Sequence, residues 1–482
     1  MLAAASSTAP AGARRALVAR RGGRAPSAPP RAAPPSGPAA AAPARAPASP
    51  SPAAPPPSPS PAAEDDPRAF TRRVVADEAE YVLQTYARPD DVVFTRGENA
   101  TLYDAAGRAY LDMAAGIAVN CLGHGDARWV AALTAQAPVL AHTSNLFHTV
   151  PQVDLARRLV TSAPWASKVF FCNSGAEANE AAIKFARKLA RVRAGVDPYD
   201  PSVGDEAVPT EIVAFTSAFH GRTMGTLALT YKQNYRTPFT PVMPGGKLAT
   251  FNDLASCRAA IVRGKTAAVF VEPVQGEGGC TPADIAFLKG LRELCDEAGA
   301  ALVFDEVQCG LGRAGALWAH ELLGVQPDIM TVAKPLAGGL PVGATLVTAE
   351  VAAAMAPGDH GSTFAGNPLV CSVANAVFDV IAEPSFLESV RRKGERLRAA
   401  LRVCTAGNPK VLEVRGEGLL VGVQLDRPAG CLIEVARKEE ALLLITAGKG
   451  DVVRLVPPLT ISDVEIDTCA EKLGRLLGEV DF

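Results

Sequence analysis

Two short apolar runs, 300–304 and 329–333, constrain this chain more than anything else in it. Each is rich in Val, Leu or Ile, is bounded by Gly or Pro, and has the length of a buried strand. Each ends in a charge: Asp305 follows the first run and Lys334 the second. In open parallel α/β sheets ligands sit at the carboxyl ends of strands, so the two side chains are expected to face one crevice. Lys334 is the only lysine between Lys289 and Lys393. Desolvated at a strand end, a lysine loses its charge readily and becomes a nucleophile toward carbonyls. The same position also suits a lysine that merely lays its stem along apolar surface.

The rest of the pattern supports a sheet around these runs. Further strands fit 168–172, 211–215, 267–271 and 343–348. Helical periodicity covers 127–140, 151–162, 176–194, 284–298 and 315–323. The alternation argues an α/β fold with a mostly parallel sheet covered on both faces. Before it, a helix near 70–86 and short strands around 92–95, 101–103 and 109–112 are expected. The glycine-rich stretch 116–125 reads as a loop that lines a site. After residue 366 the character changes. Helices at 367–381, 385–402 and 463–478 with strands near 411–414 and 419–425 suggest a smaller α+β domain. The expected division is 64–120 (a segment joining the small domain), 121–366 (the large α/β domain) and 367–482 (the small α+β domain).

Length and charge narrow the function classes. The 482 residues exceed one core and suit two or three domains. A net charge of −2 supplies no global field for nucleic acid or an anionic membrane. No apolar run reaches the roughly 18 residues of a membrane span. The ten cysteines include no C-x-x-C pair and the six histidines no H-E-x-x-H, so neither a disulfide framework nor a metal site is expected. Residues 1–63 stand apart: Ala, Pro and Ser dominate, with seven arginines and no acid, lysine or aromatic residue. Such a segment buries no core and is expected to be disordered. Its composition fits a transit peptide for plastid or mitochondrion.

Other strand ends carry polar groups too. Asn173-Ser174-Gly175-Ala176 lies between a strand and a helix, where free N–H groups and the helix dipole seat a phosphate. The same residues also make an ordinary helix cap. Phe219-His220-Gly221-Arg222 offers a ring for stacking and a guanidinium that clamps a carboxylate. A core plug and a surface arginine would look alike. The stretch from Glu272 to Gly279, which contains Glu277, either brings backbone close to a ligand or is a plain turn. Ser362 and Thr363 are small hydroxyls between glycines, and Thr363 would reach a phosphate. Arg454 inside an apolar run is costly unless a carboxylate pairs it. Gly310, Gly312 and Gly315 match G-x-G-x-x-G, but four residues, Asp305 to Gln308, separate them from the strand, so a dinucleotide site is set aside.

Together these groups fit one cofactor, a planar pyridine bearing an aldehyde and a phosphate. Lys334 would form an imine, and Asp305 would keep the ring nitrogen protonated so that the ring accepts carbanion charge. The helix start at Ser174, Gly175 and Ala176 would hold the phosphate. Phe219 would stack on one face of the ring, Val307 pack on the other, and Gln308 reach the ring hydroxyl.

The motifs run in order across about residues 70–482: His142-Thr-Ser-Asn145, Ser174 to Glu180, Phe219 to Thr223, Tyr235-Arg-Thr-Pro238, Glu272 to Glu277, Asp305 to Gln308, Lys334 to Gly339, Asp359 to Gly366, and Ala447 to Gly450. On them the chain resembles the class III pyridoxal-phosphate aminotransferases of fold type I, and among these the acetylornithine aminotransferases of plants and algae. The resemblance implies pyridoxal 5′-phosphate as cofactor and a homodimer with shared active sites. It implies that Lys334 is the catalytic, cofactor-linking lysine. Gly175, Ala176 and Thr363 of the partner subunit would hold the phosphate, and Phe219, Asp305, Val307 and Gln308 the ring. Arg222 and Ser362 would contact N2-acetylornithine. Arg454 would bind the 2-oxoglutarate carboxylate beside the reacting carbon, masked by Glu277 in the other half-reaction. The implied reaction moves the δ-amine of N2-acetylornithine to 2-oxoglutarate, giving N-acetylglutamate 5-semialdehyde and glutamate, within arginine biosynthesis. Ornithine or 4-aminobutyrate is the alternative donor. Two positions depart from the family pattern: Ala176 stands where relatives often carry Thr, and Phe147-His148 where plant relatives often carry two tyrosines.

Overall fold

The computed structural model describes residues 66–479. The expected transit segment, 1–63, lies outside the described residues. The apolar runs form one seven-stranded sheet. Across it the strands lie in the order Lys168–Cys172, Gly343–Val347, Ile329–Val332, Ala301–Asp305, Thr266–Val271, Glu211–Phe215 and Gly246–Ala249. Gly343–Val347 alone is antiparallel to its neighbours, and every other adjacent pair is parallel. Six strands therefore bring their carboxyl ends to one edge, as the alternating pattern requires.

Successive residues of each strand feed opposite cores, because side chains alternate across a strand. Ala301 and Val303 pack with Phe185 and Leu189 of the Gly175–Arg193 helix. Leu302 and Phe304 pack on the other side with Leu288 and Leu291 of the Ile285–Ala298 helix. Thr266–Val271 follows the same rule, Phe270 on one side and Val269 and Val271 on the other. Burying each such phenylalanine stabilises by about 1.5–3 kcal/mol. The outcome is a rigid floor whose carboxyl edge holds loops at fixed spacing.

Two smaller sheets complete the walls. Val411–Glu417, Leu420–Leu425, Val452–Leu455 and Ile445–Ala447 form an antiparallel sheet. Arg454 lies in it, opposite Gly422 on one side and Ile445 on the other. Phe94–Glu98, Thr101–Asp104 and Ala109–Asp112 form the other sheet, closed by Leu442–Leu443 pairing parallel with Leu111 and Asp112. A segment before the central sheet and one after it thus share a sheet.

Two expected helices differ. The 70–86 helix spans Pro67–Tyr81, and the chain turns extended at Val82. In 315–323 only a 3-10 turn, Ala319–Leu322, forms. Gly312 and Gly315 hold φ of 88° and 91°, outside the right-handed helix. The buried Glu306 carboxylate instead accepts from the Ala319 and His320 N–H groups at 2.6 and 2.9 Å. These glycines are packing positions: a Cβ on Gly315 would stand 2.6 Å from Arg391 Cγ. Among the described residues no single helix is long and apolar enough to cross a membrane, and no group of three or more His, Cys, Asp or Glu is placed to hold a metal ion.

Candidate active site

A cavity of about 840 Å³ opens at the carboxyl ends of the central strands. Lys334, Gln308, Phe219, Arg222, Glu277 and Arg454 all line it. Gly116 and Ile117 line it too, from the glycine-rich stretch expected to do so. Both hold φ of 65°, which suits Gly116 and is strained at Ile117.

Lys334 lies two residues past the end of the strand Ile329–Val332, directly before Pro335. It is half-buried, and its Nζ has no hydrogen-bond partner among the described residues. Burial depresses its pKa below the usual lysine range. The Asp305 charge opposes this and the Arg454 charge adds to it. An amine of lowered pKa, without a partner among the described residues, faces the cavity.

Asp305 is buried and fixed from three sides. Its Oδ1 accepts from the Val307 N–H at 3.0 Å. Its Oδ2 accepts from Asn179 Nδ2 and His220 Nδ1, both at 2.8 Å. Asn179 also donates to the His220 carbonyl at 2.8 Å and accepts from Thr331 Oγ1 at 2.7 Å. Burial disfavours charge on His220, but the Asp305 hydrogen bond and the charges of Asp305 and Glu272 outweigh it, so the imidazole pKa is raised. Its Nε2 is buried without a partner. Glu272, just past the Thr266–Val271 strand, accepts from the Phe219 and Gly276 N–H groups at 3.0 and 3.1 Å. Burial pushes its pKa up to about 7, with His220 opposing and Asp305 adding.

Arg454 has found the partner its apolar strand demanded. Its Nη2 lies 2.8 Å from Glu277 Oε2, and its Nη1 donates to Gln308 Oε1 at 3.0 Å. Its Nε is buried with no partner. Glu277 also meets Lys232 Nζ at 2.7 Å. Arg222 lies flat on Tyr235, its guanidinium carbon 3.5 Å from the ring centroid. Such stacking holds the fork pre-oriented at the cavity wall.

The helix start closes the floor. Ser174 caps Gly175–Arg193, its Oγ accepting from the Glu177 N–H at 3.2 Å. A Cβ on Gly175 would stand 2.6 Å from Val307 Cγ1, so Val307 fits only because residue 175 is glycine. Ala176 lies beside Gly221, whose own Cβ would come within 2.9 Å of it. Ser362 Oγ instead accepts from Asn173 Nδ2 at 2.8 Å, and Thr363 is exposed. Neither lines the Lys334 cavity of this chain, nor do Phe147 and His148, which are also exposed.

Four contributors carried no assigned role in the sequence. Asn179 had a signal: a lone amide at helical spacing from Ile183 and Ala186 on an otherwise apolar face. Glu272 had one too, directly after six buried strand residues. Thr331 is one hydroxyl in an apolar strand. Lys232 had none.

A family model of the class-III aminotransferases matches residues 84–477. The chain belongs to that family. This class-III aminotransferase is 53% identical over 412 residues to the protein named acetylornithine aminotransferase, mitochondrial, of Alnus glutinosa, covering 85% of this chain and 89% of that one. It is 47% identical to the probable mitochondrial acetylornithine aminotransferase of Dictyostelium discoideum, covering 83% and 86%. Among solved structures, the ornithine aminotransferase of Toxoplasma gondii superposes with a TM-score of 0.78 at 32% identity, covering 84% and 94%. The fold is therefore fold type I, as expected from the motifs. The family works with pyridoxal 5′-phosphate. The residues here fit that group: an unpartnered amine of lowered pKa, a fixed buried carboxylate, and a cavity wall bearing an aromatic ring and two arginines.

Proposed function

We propose that this aminotransferase moves the δ-amine of N2-acetylornithine to 2-oxoglutarate, leaving N-acetylglutamate 5-semialdehyde and glutamate. The observation that carries the reading is the Arg454–Glu277 pair at 2.8 Å, inside the cavity that holds Lys334. The donor reacts at its distal amine, so its own carboxylate stays far from Lys334. The acceptor reacts beside a carboxylate and needs a cation there. One cavity must present Arg454 in one half-reaction and hide it in the other, and a movable Glu277 does both. The cost of that exchange depends on how dry the pair is.

The cofactor, when bound, supplies an electron sink for the carbanion formed at the reacting carbon. Lys334 would link to its aldehyde and, once released, carry the proton to and from that carbon at Nζ. Burial lowers its pKa below the usual lysine range, which favours the neutral amine that this proton transfer uses. Asp305 would hold the ring N–H, with Phe219 and Val307 flanking the ring and Gln308 reaching its hydroxyl. Ser174, Gly175 and Ala176 would take the phosphate with Thr363 of the partner subunit. Arg222, pre-oriented on Tyr235, would take the donor carboxylate.

The names of the relatives support acetylornithine as donor. The Toxoplasma neighbour, named for ornithine, supports ornithine as second reading. Exposed apolar side chains at Leu146, Phe147 and Phe364 support a homodimer that covers them. The mitochondrial relatives support the mitochondrion over the plastid as the organelle address, and their names support a place in arginine biosynthesis. A half-reaction tests the donor. The loaded enzyme is mixed with N2-acetylornithine, ornithine or 4-aminobutyrate without acceptor, and loss of the cofactor's visible absorbance is followed. Fastest loss with N2-acetylornithine is expected; faster loss with either other amine overturns the substrate. Turnover retained in Lys334→Ala overturns the chemistry.

A further inference from the structure

Lys232 lies outside every group assigned a role above, yet it touches the centre of the gate. Glu277 is one carboxylate shared by two cations, Lys232 Nζ at Oε1 and Arg454 Nη2 at Oε2. The two differ in setting: the Arg454 side chain is 4% exposed and that of Lys232 26%. Building on the transamination reading, we propose that Lys232 is the positioning residue of this gate. It holds Glu277 when the carboxylate leaves Arg454, and so sets how readily Arg454 accepts a substrate carboxylate.

The geometry leaves Glu277 as the moving part. Arg454 is anchored by Gln308 at 3.0 Å, by the Thr446 carbonyl at 3.3 Å, and by its strand. The Glu277 backbone is anchored as well, its carbonyl accepting from the Gly448 N–H at 2.8 Å. Only the Glu277 side chain is tied by ion pairs alone. A carboxylate that lets go of Arg454 with no second cation would stand half-buried and uncompensated, which is strongly unfavourable. With Lys232 beside it, the same displacement keeps one ion pair and moves charge toward water. Lys232 also draws Glu277 away from Arg454 in the resting state. Both effects act in one direction: removing Lys232 tightens the mask.

The test uses the loaded enzyme with four variants: Lys232→Met, Lys232→Arg, Glu277→Gln, and Lys232→Met combined with Glu277→Gln. Glutarate, a dicarboxylate that cannot react, is titrated by calorimetry, and the two half-reactions are timed separately. Lys232→Met is expected to weaken glutarate binding and raise KM for 2-oxoglutarate roughly three- to tenfold, the factor carried by one partly exposed ion pair. The N2-acetylornithine half-reaction should stay within about twofold. Lys232→Arg should restore glutarate binding. In the Glu277→Gln background the Lys232→Met effect should vanish, because no carboxylate remains to be held. Equal losses with donor and acceptor, an effect that persists without Glu277, or unchanged glutarate affinity would each overturn the proposal. If the parent enzyme does not bind glutarate, or binds it equally well as Arg454→Lys, the assignment of Arg454 as the acceptor site, on which the proposal rests, itself fails.

Discussion

Replacing Asn179 with aspartate changes almost no volume and reverses the chemistry around Asp305. Asn179 is 1% exposed. Its Nδ2 donates at 2.8 Å to both Asp305 Oδ2 and the His220 carbonyl. In Asn179→Asp a second carboxyl would stand against Asp305 and against a carbonyl oxygen. Like charges that close in a buried site cannot both ionise, so the new group holds a proton. Even protonated it donates once where the amide donated twice. One oxygen is left facing an oxygen, at a cost of about 1–3 kcal/mol. The sign of the pH effect follows. The new acid has a folded pKa above its unfolded one, so stability falls as pH rises from the ordinary carboxylate range through the folded value. The limit is about 1.4 kcal/mol per pH unit. Thermal melts of parent and variant from about pH 5 to about pH 8 read this directly. The gap between them should be smallest at the acid end and widen upward, and at the acid end, where the shared proton dilutes the Asp305 charge, the variant should bind the cofactor more weakly than the parent. A gap that is constant with pH, or parental cofactor affinity at the acid end, refutes the claim that Asn179 serves Asp305 by donating to it.

Other consequences are as direct. Glu272, raised to about 7 from 4.5, keeps its proton in the fold where the unfolded chain has lost it, so it makes stability fall with rising pH across that window. His220, also raised, adds to the fall at the upper end. Urea midpoints of Glu272→Gln should show a shallower slope there, and an unchanged slope would remove Glu272 as its source. Gly175→Ala should cost about 1–3 kcal/mol by forcing Val307 away from the helix start. Pairing it with Val307→Ala should recover part of that loss in melting experiments; strict additivity would mean that the two do not meet. Arg454→Lys should raise KM for 2-oxoglutarate by roughly two orders of magnitude, since a lysine cannot keep Glu277, Gln308 and a substrate carboxylate together. An unchanged KM in steady-state assays would place the acceptor elsewhere.

The strands that positioned the site were legible because they are apolar on nearly every residue. Thr266–Val271 and Ala301–Asp305 are buried throughout and cannot be mistaken for loops. Gly246–Ala249 was not legible, because three of its four residues are exposed at the sheet edge. Val452–Leu455 was hidden by the residue that matters most in it: Arg454 interrupts the apolar signal, and its partner Glu277 lies 177 positions away. The Gly430–Glu440 helix is dominated by charged residues around two buried ones, Leu432 and Ala436, too thin a stripe to read. At the site, groups sitting directly on strand ends were legible, since position alone places them at the carboxyl edge. Of the groups reaching in from elsewhere, Arg454 was legible through the cost of a charge in an apolar run, and Lys232 was not. Nothing around Lys232 suggests that its ammonium meets a carboxylate 45 residues on, because that contact depends on how two separate loops fold back.

The manner in which each acid is held separates anchors from moving parts at this edge. Asp305 is held by one backbone N–H and two buried side chains, and Glu272 by two backbone N–H groups. Backbone donors are fixed by the sheet beneath them, so these carboxylates cannot change position without local unfolding. Their charges are suited to a fixed task, such as meeting one atom of a planar cofactor. Among the described residues the Glu277 carboxylate takes no backbone donor and is held by two side-chain cations, Lys232 and Arg454. Trading one of those cations for the other breaks no element of secondary structure. A cavity that must accept two substrates of opposite demand needs one charge of each kind: a carboxylate that never moves, to keep the chemistry constant, and one that moves easily, to exchange the partner. The central sheet provides the first at Asp305. The loop after Thr266–Val271 holds the second at Glu277, tied to Arg454 and Lys232 by ion pairs; on the reading proposed above, the cation nearer to water sets how readily it is released.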